Sequence, residues 1–167
     1  MIKTYNAYLD IETTGLNPVS SYITVVGILL ENDYEEHFYQ LIGPEITAYN
    51  IMILLEKAHT LYTYNGSRFD LPFIKEKLGL DLEEYIYHQD LMYSCWKRGL
   101  YGGLKRIEQK LGITRKLKNI DGRMAVILWN HYIEYGDIYA LSLLLEYNRE
   151  DVINLKILKE KLLPLNL

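Results

Sequence analysis

Apolar and polar positions along this 167-residue chain follow two different periods. Near the start, apolar residues come in short runs rich in β-branched and aromatic side chains. Residues 4–11 and 21–31 (SYITVVGILLE) predict strands, NPVS between them a turn, and ENDYE a second turn leading to a strand near 34–41. Three successive strands joined by short turns predict an antiparallel meander. The pattern then becomes helical. GPEITAYNIMILLEKAH places Pro44 and Glu45 at a helix start, TLYTYN reads as a short strand, residues from about Phe69 to Leu78 as a helix, and YIYHQ as another strand. From Leu91 onward the spacing is helical throughout: LMYSCWKRG, then GGLKRIEQKLG with Leu104, Ile107 and Leu111 on one stripe and Gly112 as its stop. GRMAVILWNHYIEYG follows, and DIYALSLLLEYNREDVINLKILKEKL supplies one or two last helices with Asp137 as N-cap. No repeat, low-complexity tract or Pro-rich linker intervenes, so the pattern predicts a single α/β domain over residues 1–167, mostly β first and mostly α last.

Composition narrows this only a little. With 49% hydrophobic residues and no run of about 18 consecutive apolar ones, the chain reads as a globular protein with no membrane partner. Its start, MIKTYNAYLDIE, lacks the apolar stretch of a signal peptide, so the expected location is the cytoplasm. The single cysteine, Cys95, excludes an internal disulfide framework and a cysteine-based metal site. Charge changes the picture more. The net charge of −4 argues against a polyanionic partner, yet residues 97–123 carry nine Lys or Arg against Glu108 and Asp121, a local +7 that leaves the rest at −11. Such a split suits a basic face that meets phosphates, although a solvated helical surface accounts for it equally well.

Two carboxylates close the apolar run in YLDIETTGL. Asp10 and Glu12 are two apart on an extended chain, so their side chains leave the same face and converge. Like charges that close repel, and no basic residue adjoins them in sequence. A divalent cation such as Mg²⁺ or Mn²⁺, which takes carboxylate oxygens, satisfies both at once. A third acid, Asp70 in YNGSRFDLPFI, falls near the start of a helix that follows a strand. Loops there bring functional groups to a sheet edge, and the helix dipole favours an acid there in any case. In EYNREDVINL, Tyr147 and Asp151 are four apart and share one helical face, as an aromatic and an acid on a solvated helix also would.

Taken in order, DIETTGL, YNGSRFDLPFI and YNREDV, with Asp10, Glu12, Asp70, Tyr147 and Asp151, resemble the three motifs of the DEDD 3′–5′ exonucleases. The Tyr-x-x-x-Asp spacing is similar to the tyrosine-type (DEDDy) branch; the histidine branch carries a His where this chain has Glu146. The segments HQDLMYSCWK, YGGLKRIEQKLGI and IDGRMAVILWNHYIEYGD resemble the YprB-like group, so the likeness covers almost the whole chain. It implies an α/β ribonuclease H-like fold with a central mixed five-stranded sheet, antiparallel meander first, flanked by helices. It also implies two divalent metal ions, Mg²⁺ or Mn²⁺. By similarity Asp10 bridges them, Glu12 and Asp151 hold the nucleophile-side ion, and Asp70 holds the other. Tyr147 orients the attacking water, because a tyrosine with a pKa of about 10 is a poor base at neutral pH. The implied substrate is a 3′ end of single-stranded DNA or RNA, and the product a nucleoside 5′-monophosphate.

Thr13, Thr14 and Leu16 resemble positions that line the terminal nucleotide, and Asn65 and Phe69 resemble substrate-side positions of the second motif. Arg68 is a candidate phosphate contact, and Lys105 opens a helix whose free amides suit an anion. Each has an ordinary alternative: a core leucine, a surface arginine, a solvated lysine. Asp90 and Asp121 either enlarge the acidic site or serve locally, Asp90 as a helix cap. Trp96 and Tyr101 either stack bases or pack inside. His37, His59, His88 and His131 show no ligand spacing. The chain holds little beyond such a nuclease core, so a protein partner supplying processivity is expected. The rival functions are a catalytically silent binding module and a hydrolase of very short oligonucleotides.

Overall fold

The computed structural model describes residues 4–163. Five strands, β1 (Tyr5–Thr13), β2 (Ile23–Glu31), β3 (Glu36–Ile42), β4 (Ala58–Thr63) and β5 (Tyr87–Asp90), form one sheet in the order β3-β2-β1-β4-β5. The first three pair antiparallel as the expected meander, whereas β4 runs parallel to β1 and β5 parallel to β4. Parallel neighbours need crossovers, which α1 (Ala48–Leu55) and α2 (Asp70–Leu78) supply. Four helices then follow: α3 (Leu91–Trp96), α4 (Leu104–Leu111), α5 (Gly122–Tyr135) and α6 (Ile138–Leu162). This is the mixed five-stranded, helix-flanked sheet that the motifs imply.

Strand alternation distributes the core and thereby aims the acids. Ala7, Leu9 and Ile11 of β1 pack with Ile51 and Leu55 of α1 and with Phe73 and Ile74 of α2. Tyr8 points the other way, into a cluster with Ile107 of α4 and Val152, Leu155 and Leu158 of α6. By the same alternation Asp10 and Glu12 leave β1 on the Tyr8 side, toward α6. A third cluster, Val25, Ala125, Trp129, Leu144 and Tyr147, fixes α5 against α6 and β2.

Boundaries depart from the sequence pattern most at the helix after β3 and at β5, and the count of last helices is settled as one. The helix expected from Pro44 makes only a 3₁₀ turn, Gly43–Glu45. The α-helix waits until Ala48, because the Thr47 side chain accepts from Asn50 N at 3.1 Å and so caps it there. Strand β5 begins at Tyr87, because Leu82–Glu84 closes into a 3₁₀ turn just before it. The last apolar stretch is one unbroken helix of 25 residues, with Asp137 accepting from Ala140 N at 3.0 Å. Among the described residues no helix is long and apolar enough to cross a membrane.

Candidate metal centre

The C-terminal end of β1 and the middle of α6 bring three acids together. Asp10, Glu12 and Asp151 each offer a carboxylate oxygen, and these oxygens lie within 4.8 Å of one another. Asp10 is held by Asn148, whose Nδ2 donates to the Asp10 carbonyl and to its Oδ2, both at 3.1 Å. Asn148 is itself placed by Gln40, whose Nε2 donates to Asn148 Oδ1 at 2.9 Å. Room for this amide comes from Gly27, the partner of Asp10 on β2: a Cβ there would stand 2.3 Å from Asn148 Oδ1. Asp70 is buried as the first residue of α2, and its Oδ1 accepts from Ile11 N, between the two β1 acids, at 3.1 Å. It therefore stands beside the trio and not within it.

Burial and mutual repulsion set the protonation of these groups. The Asp10 carboxyl is raised well above the ordinary range by burial first, then by the charges of Asp151 and Glu12. Glu12 is raised in the same way by burial, Asp151 and Asp70, with Lys105 and Arg115 easing the strain. Burial pushes Asp70 up to about 7 against the Ile11 N–H, and Asp151 up to about 6 against the nearby Arg115. Converging hard oxygen donors with an unbalanced negative charge fit a divalent cation.

Arg115, counted in the sequence only as one of a basic run, turns out to be buried beside Asp151. Its Nε and Nη2 donate to Glu108 Oε2 and Oε1 at 2.8 and 2.7 Å, and Nη2 also donates to Asp151 Oδ1. Asn154 Nδ2 is the third donor to this carboxylate, reaching Oε1 at 3.0 Å. Glu108 entered the sequence reading only as a charge set against the basic run, and Asn148 did not enter it. The available signal was a polar residue on a helix face that packs inward: Glu108 directly follows Ile107 on the apolar stripe of α4, and Asn148 directly follows Tyr147. A charge buried on such a face requires a partner.

Tyr147 is buried one turn before Asp151, and its hydroxyl is raised by burial and by Asp151, Glu12 and Asp10, so it stays protonated. Lys105 Nζ lies 4.8 Å above its ring, and the Arg115 guanidinium 5.9 Å from it. Lys105 also donates to the Ile120 carbonyl, so it is a tethered residue facing the acids and not a solvated lysine. Beside Glu12 opens a cleft of about 410 Å³ whose lining includes Thr13, Leu16, Phe69 and Asp121. Leu16 is 85% exposed, which removes the core-leucine alternative.

The other expected substrate residues do not line this cleft. Thr14 Oγ1 accepts from Tyr22 N at 3.0 Å and closes the β1–β2 hairpin. Asn65 occupies a left-handed turn, φ 61°, and its N–H donates to Asp90 Oδ1 at 2.8 Å. Arg68 stacks over Trp96 at 5.3 Å. Asp90 stays out of the acidic group, because it accepts from Asn65 N, Ser67 N and Met92 N and so ties the β4–α2 loop to the start of α3. Asp121 caps α5 through Met124 N at 2.9 Å while lining the cleft. Among the described residues no histidine joins a metal-capable group.

Comparison with known proteins extends this picture. Residues 7–163 match the RNase H superfamily. YprB of Bacillus subtilis (strain 168) is 29% identical over 164 residues, covering 89% of this chain; the chain spans only 39% of that relative. Among solved structures, the family B DNA polymerase from the hyperthermophilic archaeon Pyrobaculum calidifontis gives a TM-score of 0.73 at 18% identity, over 96% of this chain and 25% of the polymerase. NrnC of Brucella melitensis gives 0.64 at 24% identity, over 97% of this chain and 72% of its own. Its structures with bound Mg²⁺ and bound to pGG give 0.60 and 0.59, at 22% and 21% identity and the same coverage. At these identities the structural likeness is one of fold.

Proposed function

This chain belongs to the RNase H superfamily, and from that premise we propose that it is a metal-dependent 3′–5′ exonuclease of the tyrosine type (DEDDy). It hydrolyses phosphodiester bonds of single-stranded DNA or RNA and releases nucleoside 5′-monophosphates. One observation carries the reading: acids from β1 and α6, 139 residues apart between Glu12 and Asp151, converge within 4.8 Å with a tyrosine one turn away.

Asp10, Glu12 and Asp151, with Asp70 beside them, are the residues that would hold two divalent ions, Mg²⁺ or Mn²⁺. Such ions, when bound, neutralise the scissile phosphate, assist the leaving oxygen and acidify water. The chain's own groups do the positioning. Asn148 fixes the Asp10 carboxylate, and Arg115 fixes that of Asp151. Tyr147, kept protonated, orients the water without taking its proton. Thr13, Leu16 and Phe69 line the cleft that receives the terminal nucleotide, and Lys105 brings a positive charge to the phosphate. Thr14, Asn65 and Arg68 support the substrate through the hairpin and the β4–α2 loop. The Mg²⁺-bound NrnC neighbour supports the choice of metal. The buried free Cys95 suits a reducing compartment such as the cytoplasm, and a protein partner would supply processivity.

A second reading, hydrolysis of very short oligonucleotides, is favoured by the likeness to NrnC bound to pGG. Both are tested with 5′-labelled single-stranded DNA and RNA, long and dinucleotide, in Mn²⁺, Mg²⁺ or chelator. The expected result is a metal-dependent ladder shrinking from the 3′ end and absent in Asp10→Asn and Asp151→Asn. Cleavage of dinucleotides alone would select the second reading, and a ladder that persists in both variants would overturn the site.

A further inference from the structure

A cluster of aromatic rings and cations lies on α3 and the loop after it, outside the carboxylate site. Trp96 meets Tyr93 edge-on at 5.2 Å and Tyr101 at 6.5 Å, and Arg68 lies 5.3 Å over its ring. Tyr93 and Tyr101 are 37% and 59% exposed, and the neighbouring Lys97 and Arg98 are exposed as well. Residues 91–107 contain no Asp or Glu, so every charged side chain of this stretch is positive, with Asp90 just before it tied to Asn65 and Ser67.

This loop is anchored, not loose. Tyr64 Oη donates to the Gly102 carbonyl at 2.5 Å, and Lys110 Nζ donates to the Tyr101 carbonyl at 3.2 Å. An exposed ring on a fixed backbone loses little freedom on binding, which favours a ligand with flat faces. Both ends of the patch adjoin residues of the carboxylate site along the chain. Arg68 lies two residues before Asp70, and Tyr101 four residues before Lys105.

We infer that Tyr93, Trp96 and Tyr101, with Arg68, Lys97 and Arg98, form a stacking platform for unpaired bases upstream of the 3′ end. The inference rests on the exonuclease reading. Rings interleaved with cations match a ligand that presents flat faces on a polyanionic backbone, and a single strand offers both where a duplex hides its bases.

The test separates the platform from the chemistry. Cleavage of a single strand of about 12 nucleotides is compared with cleavage of a dinucleotide in Mn²⁺, for the unaltered protein and Tyr101→Ala. Separately, Trp emission is followed while the same strand is added to Asp10→Asn protein, with and without Trp96→Phe. Tyr101→Ala should lose about tenfold on the long strand relative to the dinucleotide, and the strand should quench emission only when Trp96 is present. Equal losses on both substrates, or quenching that survives Trp96→Phe, would overturn the platform. Intact cleavage with unchanged emission would do the same. Quenching without any cleavage would leave the platform standing and remove the exonuclease reading.

Discussion

Two groups of buried carboxylates lie on the same side of the sheet, and they are treated oppositely. Glu108 is answered within the protein, by the fork of Arg115 at 2.7 and 2.8 Å and the amide of Asn154 at 3.0 Å. Asp10 receives only a neutral amide, from Asn148, and faces Asp151 and Glu12 as like charges. A buried, unbalanced charge is costly, and it persists where a ligand returns the missing charge. The first group holds α4 and the 112–118 loop to α6; the second keeps a negative charge that a divalent cation would balance. Arg115 joins them, since Nη2 contacts both Glu108 and Asp151.

Asp10→Asn should break the contrast most severely. It replaces one carboxylate of the trio by a neutral amide, and we expect cleavage to fall by on the order of a thousandfold. Thermal melting in chelator should show that variant to be more stable than the parent, because a repulsive charge has gone. A loss of activity accompanied by unfolding would mean that Asp10 serves the fold.

Dependence on pH sharpens the same point. In the metal-free protein burial pushes the Asp70 carboxyl up to about 7, against about 4 in an unfolded chain. The folded state thus binds that proton more tightly. The stability it contributes is complete below about pH 4 and is lost as pH rises to about 7, on the order of 4 kcal/mol. Urea unfolding across this range in chelator should show the decline, and Asp70→Asn should reduce it. Mn²⁺ should restore more stability near neutral pH than in acid, since it competes with protons for the same oxygens.

On the balanced side, Glu108→Ala leaves Arg115 buried beside Asp151 without its main partner. A loss of about 3 kcal/mol is expected from the urea midpoint. Smaller still, Gly27→Ala drives a methyl group against Asn148. About 2 kcal/mol should be lost, with a weaker apparent affinity for Mn²⁺ because Asp10 loses its orienting amide. Unchanged metal titration in Gly27→Ala would show that Asn148 does not position Asp10.

What could be read from the chain follows from the range of the forces involved. Strand alternation is local, so the convergence of Asp10 and Glu12 was visible in YLDIETTGL, and helical spacing paired Tyr147 with Asp151 in the same way. The meander, the helix after Thr63 and the cap at Asp137 were visible for the same reason. Where two local signals compete, the pattern misled: Pro44 suited a helix start, but Thr47 offered the better cap three residues on. Arg115 looked like one more member of a basic run, because its partners lie at positions 108 and 151. The dependence of Asp10 on Asn148 and Gly27, the tether of Lys105 and the exposure of Leu16 were equally hidden. Side-chain periodicity sets which face a residue occupies, and the sequence determined that by itself. Which distant face packs against it depends on desolvation and charge balance across the assembled sheet, and only the tertiary structure decided that.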